Sequence, residues 1–155
     1  MSARFSGKAV LITGGTGGLG RAVSMAFLEE GAIVVVTYRD QREFDALQRG
    51  ARANPASLQG HQVDATNEAA VDQLVGEILA NCGRLDVVVN TVGGYAGGAK
   101  LWEMDPKAFD QMLALNLRSG YVISRAVVPA MLKQRRGVIV NVASKAAFDH
   151  AGGVL

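Results

Sequence analysis

The chain's most concentrated chemical capacity lies in Thr13-Gly14-Gly15-Thr16-Gly17-Gly18-Leu19-Gly20, and that capacity is anion binding. A phosphate reaches the amides at a helix N-terminus only where no side chain intervenes, and the turn feeding that helix needs residues free to take positive φ. Glycine meets both needs. Gly15, Gly17 and Gly20 match G-x-G-x-x-G, a pattern that sets a dinucleotide's pyrophosphate against the positive end of a helix dipole. Gly15 to Gly20 also fits the opening of a Walker A loop, but Arg21 and Ala22 stand where that loop needs Lys and Ser or Thr, which argues against a P-loop NTPase. The alternative is a flexible glycine turn between packed elements. The context argues otherwise: the apolar run Ala9 to Ile12 precedes the glycines, and Leu19, Val23, Ala26 and Phe27 mark one helical face after them.

The elements that must position this turn recur along the chain. Strand-like runs fall at Ala9 to Thr13, Ile33 to Tyr38, Leu58 to Val63, Leu85 to Asn90 and Val138 to Ala143, with helical patterns between them. Thr66 is placed to cap the helix whose stripe is Val71, Leu74, Val75 and Ile78, and Gly83 to end it. Asp105-Pro106 opens a long helix carrying Phe109, Met112, Leu113, Asn116, Leu117, Val122 and Ile123, with Pro129 and Gly137 framing its end and the turn beyond. Strands reading as continuous Val/Ile runs and alternating with helices predict an α/β fold, a Rossmann-type doubly wound parallel sheet of order 3-2-1-4-5. Residues 1–155 read as a single dinucleotide-binding Rossmann domain, C-terminally incomplete.

Thr13, Gly14, Gly18 and Gly20 also match T-G-x-x-x-G-x-G, the glycine pattern of the classical short-chain dehydrogenases/reductases (SDR), and the chain resembles that family. The resemblance implies that Thr13, Gly14, Thr16, Gly17, Gly18, Leu19 and Gly20 cradle the cofactor. At the end of the second strand Tyr38 stands near the position where an acidic residue would bond the ribose 2′-hydroxyl, and Arg39 follows. That arrangement favours NADP(H), because a guanidinium matches a phosphate geometrically. NAD(H) stays open, since the glycine turn carries no second cation and Arg39 could be an exposed strand-end charge with Asp40 capping the next helix. Asp64 and Ala65 follow the third strand, where the family's aspartate bonds the adenine amino group. The alternative for Asp64 is a turn or capping aspartate.

The resemblance extends to the second half. Asn90-Thr91-Val92-Gly93 stands where the family has Asn-Asn-Ala-Gly, so Asn90 and Gly93 match while Thr91 and Val92 depart. Gly93 lets the chain pass close to the cofactor, and Asn90 ties neighbouring strands. Asn116, within an apolar stripe and therefore expected to be buried and bonded, takes the place of the asparagine that orders a water in the family's proton relay. The alternative is satisfaction by nearby backbone. Ser144, expected at the carboxyl end of a central strand, corresponds to the serine that polarises a substrate carbonyl. Asn116 and Ser144 are thus the catalytic candidates.

The family's hydride chemistry also uses Tyr-x-x-x-Lys beyond that serine, the lysine lowering the tyrosine's pKa. No such pair occurs in the sequence. Tyr121-x-x-x-Arg125 precedes Ser144 and its arginine would keep its charge, so it reads as packing and surface. The expectation is a sheet truncated after its fifth strand: the cofactor-binding half of an oxidoreductase that exchanges hydride with a small carbonyl or alcohol, with little turnover alone. A non-catalytic nucleotide-binding or interaction module is the other reading, and a frame continuing past Leu155 into Tyr-x-x-x-Lys would decide between them.

Composition excludes several classes. A formal charge of +2 is too small to imply a nucleic-acid partner. No run approaches the roughly 18 apolar residues of a membrane span, and Met1 to Gly7 lacks a signal-peptide core, so a cytoplasmic location and no membrane partner are expected. Cys82 is the only cysteine, which leaves neither a disulfide nor a Cys/His metal cluster, and no metal is expected. His61 and His150 read as ordinary polar residues, and Trp102 as a core anchor more than a ligand contact. An apolar fifth strand with one uncovered edge predicts self-association or a homo-oligomer.

Overall fold

The computed structural model describes residues 3–51 and 57–145; His150 and the C-terminal residues that follow it lie outside them. Strands β1 (Ala9–Thr13), β2 (Ile33–Tyr38), β3 (Leu58–Gln62), β4 (Val87–Asn90) and β5 (Val138–Asn141) form one parallel sheet. Its order is β3-β2-β1-β4-β5, as expected. Helices α1 (Gly18–Glu29), α2 (Gln41–Gly50), α3 (Glu68–Cys82), α4 (Pro106–Leu113) and α5 (Ser119–Gln134) make the crossovers.

Alternation along each strand assigns its residues to two cores, because successive side chains point to opposite faces of a sheet. Val10, Ile12, Val34 and Val36 pack with Leu28 of α1 and with Phe44 and Leu47 of α2. Leu11, Val35 and Val88 pack on the other face with Val71, Leu74 and Ile78 of α3 and Val122, Ile123 and Val127 of α5. A strand buried on both sides must be apolar throughout, which is why β1 reads Ala-Val-Leu-Ile.

Several boundaries differ from the sequence expectation. Helix α1 begins at Gly18, and its buried line is Gly20, Ser24 and Leu28; Leu19 is 53% exposed at the open end of the helix. The cap of α3 is Asn67, whose side chain accepts from the Ala70 amide at 3.1 Å; the Thr66 hydroxyl is taken up by Asp64 instead. Gly83 ends α3 at φ 68°, as expected. Strand β4 starts at Val87, since the Leu85 amide and carbonyl are held by the Gln134 side chain.

The long second-half helix is divided by a π-helical turn, Ala114–Arg118. Asp105 caps α4 with Pro106 in its first turn, as expected, but Pro129 lies inside α5, which runs on to Gln134 and closes on Arg135 at φ 55°. Asn116, in the π turn, is exposed and not buried. The turn rotates the register of the stripe, so Phe109, Leu113 and Leu117 face outward while Met112 and Val122 face the core. Trp102 is no core anchor: it is 79% exposed, with the Lys100 ammonium 5.3 Å from its ring.

Below the sheet, Asp86 is buried among cations. Its carboxylate accepts from the Ala9 amide at 3.1 Å and from the Arg84 guanidinium, with Lys8 at 3.7 Å and Arg136 at 3.9 Å. Burial pushes this carboxyl up, but the hydrogen bonds from Arg84 and Ala9 and the charges of Arg84 and Lys8 outweigh it and hold it below the ordinary range.

Candidate functional site

Five parallel strands end along one edge of the sheet, and most of the candidate groups follow a strand end there, Asn116 in the π turn being the exception. The glycine turn follows β1, Arg39 follows β2, Asp64 follows β3, Gly93 follows β4 and Ser144 follows β5. The crevice outside the carboxyl ends of such strands is where open α/β sheets bind ligands.

The glycine turn is held from below and left open above. Gly14 sits at φ 65°, where any other residue would be strained. Its amide donates to the Thr37 hydroxyl at 3.0 Å, and the Gly15 amide to the Thr37 carbonyl at 3.1 Å. The Thr91 hydroxyl donates to the Thr13 carbonyl at 2.6 Å and approaches the Gly14 carbonyl at 3.3 Å. Ser24, buried in α1, donates its hydroxyl to the Gly20 carbonyl at 2.8 Å and lies 3.2 Å from the Gly15 carbonyl.

Gly17 caps α1 with no side-chain hydrogen bond, so the first amides of that helix are offered outward. A β-carbon at Gly20 would collide with the Gly14 carbonyl and stand 2.8 Å from Gly15 Cα. A β-carbon at Gly18 would meet nothing within 4 Å. Gly20 is therefore a packing glycine, whereas Gly18 is bare towards open space, a β-carbon at Gly17 would meet only the Gly14 carbonyl at 3.5 Å, and the pair fits a pyrophosphate. Thr37, Thr91 and Ser24 were not evident as site residues from sequence. Their only signal is a hydroxyl residue at a strand end or on the buried face of a helix next to glycine.

Beside the turn lies a groove of about 430 Å³ lined by Tyr38, Arg39, Gln62, Asp64, Gln111 and Leu115, among others. Tyr38 fixes its floor: the ring is buried, stacked on Phe44 at 4.9 Å, and its hydroxyl donates to Gln41 at 2.6 Å. Arg39 is exposed, and Gln62 donates to its carbonyl at 2.9 Å. Asp64 accepts from the Thr66 amide at 2.8 Å and from its hydroxyl at 2.7 Å; these bonds, with Arg39 nearby, hold its carboxyl below the usual range. Asp64 thus makes a turn contact and also lines the groove. Ala65 is buried in the core under α3. Asp40 caps α2 by accepting from the Arg42 amide at 2.9 Å.

Asn90 crosslinks three strands. It accepts from the Thr13 hydroxyl at 3.3 Å and donates to Asn141 at 2.7 Å, all three residues in register across β1, β4 and β5. Asn116 pins the next loop: its amide group donates to the Gly94 carbonyl at 3.0 Å and its oxygen accepts the Gly94 amide at 2.9 Å. A β-carbon at Gly93 would press on that oxygen at 3.1 Å. Both polar atoms of the Asn116 side chain are thus bonded to the Gly94 backbone. Ser144 is exposed beyond β5, which is the outermost and not a central strand of the described sheet. Tyr121 is exposed and Arg125 pairs with Glu68 at 3.2 Å, both surface roles as expected. Among the described residues no group of His, Cys, Asp and Glu could hold a metal ion, and no helix is long and apolar enough to cross a membrane.

The sequence profile described as short chain dehydrogenase matches residues 8–154. A 3-oxoacyl-(acyl-carrier-protein) reductase of Thermotoga maritima is 33% identical over 141 residues, covering 91% of this chain and 57% of that protein. Among solved structures, a short-chain dehydrogenase/reductase from Burkholderia xenovorans superposes with a TM-score of 0.91 at 36% identity, covering 97% of this chain and 61% of that one. A metagenomic short-chain oxidoreductase in complex with NADP gives 0.89 at 33% identity, covering 96% of this chain and 67% of that one. The chain spans about half the length of the curated relatives it matches.

Proposed function

The chain belongs to the short-chain dehydrogenase family, and from that premise we propose that it binds a nicotinamide dinucleotide, NADP(H) in preference to NAD(H), for hydride exchange with a small carbonyl or alcohol. One observation carries the reading: the first amides of α1 are uncapped by any side chain, at a turn whose outward glycines leave open space, on the carboxyl edge of the sheet. Gly17, Gly18 and Leu19 would hold the pyrophosphate, Gly14 and Gly20 would shape the turn, and Thr13 would brace it through Asn90. Arg39 would face a 2′-phosphate, and Asp64 would lie beside the adenine.

The bound cofactor supplies or accepts the hydride. This chain's own residues position it. Gly93 and Gly94, held by Asn116, keep the loop after β4 low enough for the nicotinamide side to approach, and Ser144 presents a hydroxyl at the same edge to a substrate oxygen. Proton donation in this family uses Tyr-x-x-x-Lys, which does not occur in these residues. Cofactor binding and turnover therefore separate: the chain binds dinucleotide but turns over slowly, since losing a positioned general acid costs roughly a hundred- to ten-thousand-fold. The test compares NADPH oxidation by this chain and by one extended through a Tyr-x-x-x-Lys segment, with a panel of ketones, quinones and aldehydes. Equal rates would contradict the assignment of roles.

A further inference from the structure

Two acids follow Arg39, and they do different things. Asp40 is taken up by its own helix, accepting from the Arg42 amide at 2.9 Å and lying 3.4 Å from the Arg42 guanidinium. Glu43, in the first turn of α2, instead reaches across to the glycine turn, where its carboxylate accepts the Thr16 hydroxyl at 2.8 Å. β2 lies between β1 and β3 in the sheet. Arg39 at its end is thus flanked by the Glu43–Thr16 pair on the β1 side and by Asp64 on the β3 side.

We propose that Glu43 determines cofactor specificity: its carboxylate opposes a 2′-phosphate at the ribose side of the glycine turn and so limits the preference that Arg39 gives to NADP(H). The inference rests on reading the turn as a dinucleotide site. Two effects act together. A 2′-phosphate carries between about −1.5 and −2 charges near neutral pH, and a carboxylate on the adjoining helix repels it. A hydroxyl also has a single proton to give, and Thr16 gives it to Glu43, so Thr16 turns lone pairs and no donor towards a phosphate. The ribose 2′-hydroxyl of NAD(H) meets no such penalty, because it can itself donate to a carboxylate.

Calorimetric titration of NADPH, NADH, 2′,5′-ADP and 5′-ADP into the wild-type chain, Glu43→Gln and Glu43→Asp tests this. Glutamine keeps the length, removes the charge and can donate to Thr16, freeing that proton for a phosphate. Removing one solvent-separated charge corresponds to a rise of about three- to tenfold in NADPH-over-NADH affinity ratio, larger at low salt. The 2′,5′-ADP over 5′-ADP ratio should rise in parallel, and Glu43→Asp, which keeps the charge on a shorter side chain, should raise both less than Glu43→Gln does. An unchanged ratio in Glu43→Gln, with all four ligands still binding, would overturn the proposal. If the wild-type chain bound none of the four, the dinucleotide reading would fail first and this inference with it.

Discussion

Gly18→Val separates folding from ligand binding at the glycine turn. The position lies at the start of α1, and a β-carbon there meets no atom within 4 Å. The β-carbon of a valine therefore meets no packing obstacle, and leaving glycine in a helix gains on the order of a few tenths of a kcal/mol. A pyrophosphate at the uncapped amides of α1 would meet the new methyl groups directly. Two charge-assisted hydrogen bonds lost at roughly 1.5 kcal/mol each is about 3 kcal/mol, or about 150-fold in Kd. Gly20→Ala is the contrasting variant: its methyl strikes the Gly14 carbonyl, so it should lower stability by about 1–3 kcal/mol before any ligand is added. Thermal unfolding and NADPH calorimetry on both variants give the two axes. The reasoning is refuted if Gly18→Val keeps wild-type stability and binds NADPH within about threefold of wild type, a loss of only about 0.7 kcal/mol.

Arg39→Ala should weaken NADPH binding and leave NADH nearly unchanged; equal loss for both in calorimetry would remove the 2′-phosphate role. Asp86 predicts an acid-labile fold: its carboxyl is held low in the folded state, so its stabilising contribution is full above the ordinary carboxylate pKa of about 3.9 and is lost as pH falls through the lower folded value. Asp86→Asn should flatten that acid limb in pH-dependent denaturant unfolding. It should also cost about 3 kcal/mol near neutrality, the low end of the range for breaking a buried pair, because Arg84 and Lys8 keep some solvent. Val138, Val140 and Val142 are exposed at or just beyond the outermost described strand, so the chain should self-associate at about tens of micromolar, and sedimentation showing only monomer would contradict this.

The sheet and its order were legible because β1, β2 and β4 are apolar on both faces, a signature of central parallel strands. The glycine turn was legible because φ 65° at Gly14 and the tight packing at Gly20 admit almost nothing else. What escaped is cooperative. The π turn that exposes Asn116 interrupts a helical stripe whose apolar spacing gives no sign of it. Thr91 looked like a departure from a motif, yet its hydroxyl clamps the glycine turn to the loop after β4. Nothing in the sequence marks Glu43, a first-turn acid of α2, and only the tertiary fold brings it to Thr16. Such contacts join residues far apart in sequence, and no local pattern announces them.

The central claim is that the uncapped amides of α1 receive the phosphates of a nicotinamide dinucleotide. Titrating NADPH into the ¹⁵N-labelled chain and following its amide resonances tests it residue by residue. The account predicts the largest shifts at Gly17, Gly18 and Leu19, with smaller ones at Arg39, Asp64 and Gly93, and none at the Asp86 cluster on the opposite edge of the sheet. Shifts confined to α4 and α5, or no saturable shift in the glycine turn, would contradict it.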